Sequence, residues 1–552
     1  MPGQMFATHE VLNQTPPIGD VDLWSGDAAL TGAVRAFGKP AKGELDRLAA
    51  FGRTWGTAEM AELARLANEN PPKLKAFDAR GNRADVVEFH PAYHAFMREA
   101  VAAGIHSSVW GPDGGLSSPG AYVARAALVH MEAEVEQGHQ CPIVMTHAAT
   151  GALLAEPALL EEWLPRIRSR EYDARFLPAG EKKGVTLGMG MTEKQGGSDV
   201  RANTTRAEAD GDTYRVIGHK WFLSAPMCDA FLVLAQAKGG LSCFLVPRFR
   251  PDGSVNALKL NRLKDKLGNR SNASSEVEFE GAYARRCGPE GEGVKTIIQM
   301  VQLTRLDCVV GSLGIMRAAL MAAIHHVRHR TAFQRKLIDQ PLMQAVIGDL
   351  ALEREGALAL GIRMAAAFDR AGDDEDEAAF ARLVTPVAKL WVCKAVPQFV
   401  YESLECLGGN GYVEEGPIAR LYREAPLNAI WEGSGNIMAL DLLRGATRER
   451  ASAERVIARL EKSAGDLPGA GAALGRVKQS LADANREALA RRAGETLALV
   501  AAAAALKESA PGEVAEAFAY HRLGGLQGRN FGDSLSSKLV DTLIERSLAT
   551  RN

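Results

Sequence analysis

Two neighbouring segments of the sequence combine hydroxyl groups with glycine turns. The first runs Met189-Gly190-Met191-Thr192-Glu193-Lys194-Gln195-Gly196-Gly197-Ser198, and the second ends Leu223-Ser224-Ala225. Apolar residues alternate with small ones before the Gly-Gly pair, which predicts a strand that ends in a turn with accessible backbone N–H groups. Thr192, Ser198 and Ser224 add hydroxyl donors, and Trp221 adds a ring that can stack. These donors suit the carbonyl-rich edge of a flat cofactor ring; an ordinary glycine hairpin is the alternative.

A carboxylate stands between glycines much later in the chain. It is Glu432, in the run Ile430-Trp431-Glu432-Gly433-Ser434-Gly435-Asn436. Glycine neighbours allow a backbone to approach a ligand closely, so Glu432 is a candidate catalytic base. A surface glutamate in a glycine turn is the other interpretation.

The order of these segments resembles the acyl-CoA dehydrogenase family. Matching elements are Thr-Glu followed by Gly-Ser-Asp, Gly-x-Lys-x-x-Leu-Ser, Arg-Thr-Ala-Phe from Arg330 to Phe333, Gly-Gly-x-Gly-Tyr around Gly409, and Trp-Glu-Gly-Ser around Glu432. Met-Thr-Glu-Lys-Gln-Gly-Gly-Ser-Asp-Val, Arg-Leu-Tyr-Arg-Glu and the N-terminal Thr-His-Glu-Val-Leu-Asn-Gln are similar to the AidB-like branch, which belongs to the adaptive response to DNA alkylation. The resemblance spans essentially the whole chain.

The resemblance implies an FAD-dependent oxidoreductase. Glu432 would remove the α-proton of an acyl thioester while a hydride passes to FAD, and desolvation would make its carboxylate a stronger base. Thr192, Ser198 and Arg305 would face the substrate. The residues implied to hold FAD are Met189, Gly190, Met191, Thr192, Glu193, Lys194, Gln195, Gly196, Gly197, Ser198, Leu223, Ser224, Ala225, Arg330, Phe333, Gly409, Ile430, Trp431, Glu432, Gly433, Ser434, Gly435 and Asn436.

Several positions depart from the family pattern. Gln302 stands where many relatives have an acidic residue near the pantetheine, and Pro341 and Glu405 stand where glutamines are usual. Trp431 replaces the usual tyrosine beside the base, and its bulk narrows the expected acyl cavity. The substrate expected on these grounds is a short or branched acyl-CoA, or a small molecule without CoA.

Composition and periodicity predict a globular protein of several domains. The chain has 552 residues and a formal net charge of −2. Helical patterns such as Glu44–Glu69 and Leu342–Asp369 flank a region of period two, which gives the α+β, mainly α, class. The predicted domains are an N-terminal helical domain (1–182), a central β-sandwich or β-barrel domain that contacts the flavin (183–290), a C-terminal helical bundle (291–443) and an added helical extension (444–552).

The extension suggests a second function. It carries a slight excess of basic residues, and Arg444 and Arg448 are candidate phosphate contacts. A solvated helix face with acidic neighbours is the alternative, whereas the AidB-like resemblance implies binding of double-stranded DNA. The alternative function is therefore a DNA-binding protective flavoprotein that destroys alkylating agents or uses FAD structurally.

Other sequence features bear on metal binding, membrane association, cellular location and assembly. The seven cysteines are dispersed, no zinc framework is present, and the pair His325 and His329 fits a basic helix surface better than a metal site. The apolar run from Leu497 to Leu506 is too short to cross a membrane, and no basic leader is visible, so we expect a cytoplasmic protein. The resemblance implies a homo-oligomer, commonly a tetramer, and an electron-transferring flavoprotein as redox partner.

Overall fold

A computed structural model describes residues 8–524 and 535–548. The ends of the predicted first and fourth domains, residues 1–7 and 549–552, lie outside the described residues, as do residues 525–534 of the extension.

The first part of the chain is mainly helical. Its helices are α1 (Ala28–Gly38), α2 (Lys42–Trp55), α3 (Ala58–Glu69), α4 (Pro91–Ala103), α5 (Ala121–Val135), α6 (Gln140–Leu153) and α7 (Pro157–Ile167). The helical pattern over Glu44–Glu69 corresponds to two helices, because α2 stops at Trp55 and Thr57 caps α3 by accepting a hydrogen bond from the Met60 N–H. The predicted N-terminal helical domain is confirmed, and it also contains an antiparallel hairpin of β1 (Lys73–Phe77) and β2 (Arg83–Glu88).

The central part is a β domain whose sheet closes on itself. Its strands are β3 (Leu187–Gly190), β4 (Arg206–Asp210), β5 (Thr213–Ser224), β6 (Ala230–Ala237), β7 (Gly240–Pro247), β8 (Leu258–Leu263) and β9 (Ser274–Arg286). The strand order is β3-β6-β4-β5-β9-β7, and β6 also pairs with β7 while β8 pairs with β9. The predicted β domain is therefore present, with β3 lying parallel to β6 at its edge.

The third part is a bundle around one long helix. It contains α8 (Gly293–His329), the small hairpin of β10 (Thr331–Ala332) and β11 (Arg335–Lys336), then α9 (Pro341–Arg370), α10 (Glu375–Glu405), α11 (Gly409–Tyr412), α12 (Pro417–Glu424) and α13 (Gly435–Arg448). By length and composition α8 could cross a membrane, but 89% of its apolar window is buried inside the protein. It packs against α5, α6, α9 and α10, as the core helix of a soluble bundle does.

The acidic run Asp373–Glu377 lies at the start of α10. Asp374 caps α10, and Glu377 lies within that helix. Glu377 is buried, and Arg363 donates two hydrogen bonds of 2.8 and 2.9 Å to its carboxylate. This acidic run resembles a solvated connection in sequence, but it includes the buried ion pair of Glu377 with Arg363.

The extension is not a separate body. It consists of α14 (Arg450–Ala464), α15 (Ala470–Ala482), α16 (Arg486–Ser509), α17 (Gly512–Leu523) and α18 (Ser537–Arg546). The boundary predicted at 443/444 falls inside α13 and is wrong. The alanine-rich run of α16 from Leu497 to Leu506 is entirely buried, and α16 packs on α9 and α10. Small side chains allow this close approach, so the extension and the bundle share one core.

A buried polar network lies where α1, α5, α8 and α9 meet. Asp27, His130 and Glu134 come close enough to hold a metal ion, with their ligand atoms within 4.8 Å of one another. Arg354, however, donates to both Asp27 oxygens, and the Arg317 Nε lies 3.5 Å from Asp27 Oδ2. Two guanidinium groups beside one carboxylate disfavour a cation, so we describe this cluster as a buried ion-pair network.

A second buried ion pair joins the first part of the chain to the bundle. Arg125 on α5 donates to both Asp307 oxygens on α8 at 2.6 and 3.0 Å, and its Nε donates to the Ile105 carbonyl at 2.6 Å. Both side chains are 2% exposed, so neither charge has water to replace its partner.

We expect Arg125→Leu to lower the free energy of unfolding by about 3–5 kcal/mol, because Asp307 would remain buried without a counter-charge. Urea denaturation followed by circular dichroism measures the change. Arg65→Leu is the matched control: Arg65 pairs with Glu62 and Glu69 on the surface, where an ion pair is worth about 1 kcal/mol or less. Equal losses in the two variants would contradict a structural role for the buried pair.

Candidate active site

The candidate base lies in a strained turn before α13. Glu432 has a φ of +57° and Gly433 a φ of +102°, so two successive residues occupy the left-handed region. This conformation is unfavourable for a glutamate and persists only where its surroundings impose it.

Lys389 of α10 supplies much of that constraint. Its ammonium donates to the carbonyls of Asn428, Trp431 and Gly433, at 2.8, 2.8 and 2.9 Å. Lys389 is only 1% exposed, so three carbonyl oxygens take the place of its hydration shell. The turn is therefore wrapped around a buried cation.

Two residues of α8 hold Glu432 from the other side. The Thr304 hydroxyl donates to Glu432 Oε2 at 2.8 Å, and Arg305 Nε donates to the Glu432 carbonyl at 3.1 Å. Arg305 Nη1 also donates to Asp441 Oδ2 of α13 at 2.7 Å. The side chain and the backbone of the base are thus fixed by different donors.

The surroundings make Glu432 a stronger base than a solvated carboxylate. Burial raises the pKa of Glu432 above its ordinary value, while the Thr304 hydrogen bond and the charges of Lys389 and Arg305 oppose that rise. A base whose pKa is raised binds a proton more tightly, as proton abstraction from carbon requires.

Arg305, which was expected to face the substrate, is enclosed by the protein. It is 5% exposed and donates to Asp441 and to the Glu432 carbonyl. These bonds hold the backbone of the candidate base.

The glycine turn after β3 is built around another buried ion pair. Glu193 Oε1 accepts from the Lys220 ammonium at 2.7 Å, and its oxygens also accept from the Thr204 and Thr205 N–H groups. Glu193 was predicted to bind the cofactor, but its side chain is fully enclosed. It instead ties the turn to β5, because its oxygens are already occupied within the protein.

The rest of that turn presents an open edge. Lys194, Gln195 and Ser198 are exposed, and Thr192 is half-buried. A Cβ on Gly197 would lie 2.3 Å from Thr192 Oγ1, so only glycine lets the backbone pass this hydroxyl. Free hydroxyls and an exposed backbone beside a strand end form a cradle that suits a carbonyl-rich ring such as that of FAD.

Some residues of the predicted cofactor set have enclosed side chains, so only their backbone can reach a ligand. Met189, Gly190, Leu223 and Ala225 are all buried. A Cβ on Gly190 would meet Leu223 Cδ1 at 2.9 Å, which keeps β3 close to the end of β5. Met191 is half-buried, and its carbonyl accepts from the Asn203 amide at 2.9 Å.

Cys141 of α6 connects the strand end with the base. Its thiol lies next to the Ser224 hydroxyl and close enough to Glu432 to be affected by its charge. Burial raises the pKa of Cys141 to about 11, and the Glu432 carboxylate acts in the same direction. Segments more than 200 residues apart therefore approach one another around Cys141.

Trp221 is not a free stacking plane. The Lys264 ammonium lies 3.3 Å from its ring centroid and covers one face. The adjacent Phe222 is 49% exposed and is the more accessible ring on β5. The Lys264 ammonium also lies 4.7 Å from the Phe222 ring centroid, and the pairing of β5 with β9 shifts register between Lys220 and Leu223.

Other predicted cofactor residues lie on exposed surface. Phe333 is 94% exposed and Ile430 64% exposed. Gly409 is also exposed, and Arg330 donates to the Asn13 carbonyl at 2.5 Å. These positions are accessible to a second subunit. They are therefore compatible with a cofactor site that these residues complete in that subunit.

The segment after Glu432 leads directly into α13. Trp431 is half-buried, and its indole N–H donates to Asn428 Oδ1 at 2.8 Å. Ser434 precedes Gly435, the first residue of α13, and the Asn436 side-chain oxygen accepts from Arg491 at 2.9 Å. That bond connects the turn to α16 of the extension.

Sequence reasoning missed the residues that hold the base. A lysine inside the apolar run from Leu383 to Val392 was a visible signal for Lys389, because a charge in a buried helix requires partners. Nothing in the sequence pattern around Thr304 indicated a contact with Glu432. No pattern in the sequence indicated Asp441 or Cys141.

Comparisons with known proteins identify the family of the chain. Residues 13–174 match the N-terminal domain of adaptive response protein AidB, residues 188–282 the middle domain of acyl-CoA dehydrogenases, and residues 291–447 their C-terminal domain. The chain is 52% identical over 441 residues to the putative acyl-CoA dehydrogenase AidB of Escherichia coli, covering 80% of each chain. It is 32% identical to acyl-CoA dehydrogenase family member 11 of Caenorhabditis elegans, over 70% of this chain and 64% of that protein.

Solved structures show the same fold. Caenorhabditis elegans ACDH-11 in complex with C11-CoA superposes with a TM-score of 0.82 at 28% identity, covering 93% of each chain. Butyryl-CoA dehydrogenase of Megasphaera elsdenii shares the fold at 20% identity, with a TM-score of 0.58 over 73% of this chain and 97% of that one. The chain therefore belongs to the acyl-CoA dehydrogenase family, whose cofactor is FAD.

Proposed function

We propose that this protein catalyses the α,β-dehydrogenation of a short or branched acyl-CoA, with Glu432 as the base. The observation that carries the proposal is the Glu432 carboxylate itself. It is held by Thr304 in a left-handed turn and lies near the strand end that bears Ser224.

Different residues of the chain have separate roles in the proposed reaction. Glu432 removes the α-proton of the acyl group and holds it on its carboxylate. Lys389 and Arg305 keep the turn in place while the charge on that carboxylate is lost. Thr192, Ser198 and Ser224 orient the cofactor ring, and bound FAD supplies a hydride acceptor for the β-carbon.

The proposed substrate size rests on Trp431. Its indole is fixed by the bond to Asn428, so this large ring next to the base does not move aside freely. A fixed indole leaves less room than the usual tyrosine, which favours short or branched acyl groups.

We expect Glu432→Gln to retain the FAD spectrum and to slow substrate reduction of the flavin by roughly 10²–10⁴-fold, since an amide cannot accept the proton. Anaerobic mixing with acyl-CoAs of increasing length, followed by flavin absorbance, measures this. The control is Glu449→Gln, which changes an exposed glutamate that pairs with Arg382. Undiminished reduction in Glu432→Gln would exclude it as the base, and failure of every acyl-CoA to reduce the wild-type flavin would exclude this substrate class.

We expect Thr304→Val to move the acid limb of the reduction rate to higher pH. The Thr304 hydrogen bond lowers the pKa of Glu432, so its loss raises that pKa further. The carboxylate form needed for catalysis is then lost at a higher pH as the solution is acidified. Rates of anaerobic reduction across a pH series test this; a limb unchanged or moved to lower pH would contradict the assigned hydrogen bond.

A second function, binding of double-stranded DNA in the response to alkylation, is favoured by two arginines of α13. Arg444 and Arg448 are exposed, and no ion pair joins either to another residue within 8–524 or 535–548. By contrast, Arg450 pairs with Glu454, and Arg455 pairs with Asp376. The unpaired arginines are the ones that can neutralise phosphates. In this alternative, the flavin destroys alkylating agents or has a structural role.

We expect Arg444→Glu/Arg448→Glu to weaken binding of duplex DNA and to reduce the slope of log K against log salt by about 2, since each phosphate contact contributes roughly 0.9. Fluorescence anisotropy at several salt concentrations measures both quantities. Arg450→Glu/Arg455→Glu carries the same charge change at paired arginines and serves as the control. Equal effects of the two double variants would assign the binding to net charge and contradict a specific contact on α13.

The exposed apolar surface supports the proposed assembly. Large apolar side chains are exposed near the predicted cross-subunit residues: Phe333 at 94%, Leu342 at 85% and Tyr412 at 84%. Such exposure favours burial against another subunit, which supports a homo-oligomer, with a tetramer as the expected form. An electron-transferring flavoprotein as redox partner and a cytoplasmic location complete the proposal.

A further inference from the structure

Lys266 is linked through one serine to Ser224, a residue of the proposed cofactor site, and has no role in the function proposed above. It belongs to the segment between β8 and β9. Its ammonium donates to the Asn272 carbonyl at 2.6 Å and to the Ser274 hydroxyl at 3.2 Å. Ser274 is the register partner of Ser224 on β5, and their hydroxyl oxygens are 3.3 Å apart. The Lys266 ammonium and the hydroxyls of Ser274 and Ser224 therefore form a chain that ends at the proposed cofactor site.

The chemistry of these groups fixes the direction of the first hydrogen bond and permits the second. An ammonium can only donate, so the Ser274 oxygen accepts from Lys266. The Ser274 proton stays available to Ser224, and either hydroxyl can donate across the gap between them. With Ser274 as the donor, the proton of Ser224 is left to donate outward. The neighbouring Cys141 thiol is a weak acceptor and competes poorly for that proton.

The segment that carries Lys266 is held firmly. Ser271 donates to Glu136 Oε1 at 2.6 Å, and the Asn269 side chain donates to Glu424 Oε1 at 2.9 Å. Both glutamates are buried. Elements from the N-terminal helices and from the bundle thus clamp one short loop, which gives the ammonium a defined position.

We propose that Lys266 is a positioning residue of the flavin site. Through Ser274 it turns the Ser224 proton toward the bound cofactor, and its positive charge favours the reduced, more electron-rich ring. The effect is a higher reduction potential than the same cleft would give without the ammonium. This inference rests on FAD binding in the cleft and not on the identity of the substrate.

The electrostatic surroundings give the effect a pH dependence. Burial lowers the pKa of Lys266 to about 8, while the nearby Cys141, Glu424 and Glu136 act in the opposite direction. The ammonium is therefore present below about pH 8 and is lost as the pH rises through that value. Any contribution of its charge to the potential must fade over the same range.

The test compares the reduction potential of FAD in holoproteins by equilibration with a reference dye, with no acyl-CoA present. We expect Lys266→Met to reduce the equilibrium constant for two-electron reduction about tenfold, a shift of about 30 mV to lower potential. Lys266→Arg should restore most of the loss. Ser274→Ala should reduce the constant about threefold, since the ammonium remains but the hydroxyl chain is broken.

Lys259→Met is the matched control, because Lys259 is a partly exposed lysine of the same domain that pairs with Glu280. It should leave the potential unchanged. The difference between wild type and Lys266→Met should shrink when measured well above pH 8. A Lys266→Met potential equal to that of wild type overturns the proposal, as does an equal shift in Lys259→Met. If Lys266→Met does not retain FAD, Ser274→Ala decides, and an unchanged potential in that variant overturns the proposal.

Discussion

The buried ammonium of Lys389 is the interaction on which the site depends. Three backbone carbonyls converge on it, so the segment from Asn428 to Gly433 must curve around a single point. That curvature forces Glu432 into a left-handed conformation that it would not adopt alone. Burying the Lys389 ammonium without these carbonyls would raise the free energy of the folded state, and the turn without the ammonium would lose its shape. The candidate base is positioned because the ammonium and the three carbonyls satisfy one another.

The same principle recurs at the other wall of the cleft. Lys220 and Glu193 form a fully buried pair that binds the glycine turn to β5, and Glu136 and Glu424 hold the loop before β9. Each charged group is satisfied by partners from a different part of the chain. The N-terminal helices, the β domain and the bundle therefore cannot shift independently without leaving a buried charge unpaired. The space between them keeps its geometry for that reason.

The extension affects the site as well as the surface. Arg491 of α16 bonds to Asn436 in the first turn of α13, and the alanine run of α16 is buried against the bundle. Because α13 begins at Gly435, three residues after Glu432, and ends at Arg448, one helix connects the proposed catalytic site with the proposed DNA contacts. The extension is therefore part of the scaffold that holds the proposed base.

The sequence by itself determined the family, the α+β class, the order of helical and β regions, and Glu432 as the candidate base, because periodicity and glycine-flanked motifs are local properties. It could not reveal the β1–β2 hairpin, the break at Gly56 or the continuity of α13 across position 444, since tertiary packing overrides weak local preferences there. It also placed Arg305 and Glu193 against ligands, whereas the fold turned both inward to satisfy buried charges. Only the tertiary structure decided which charged groups meet, because pairing depends on three-dimensional distance and burial between residues far apart in the chain.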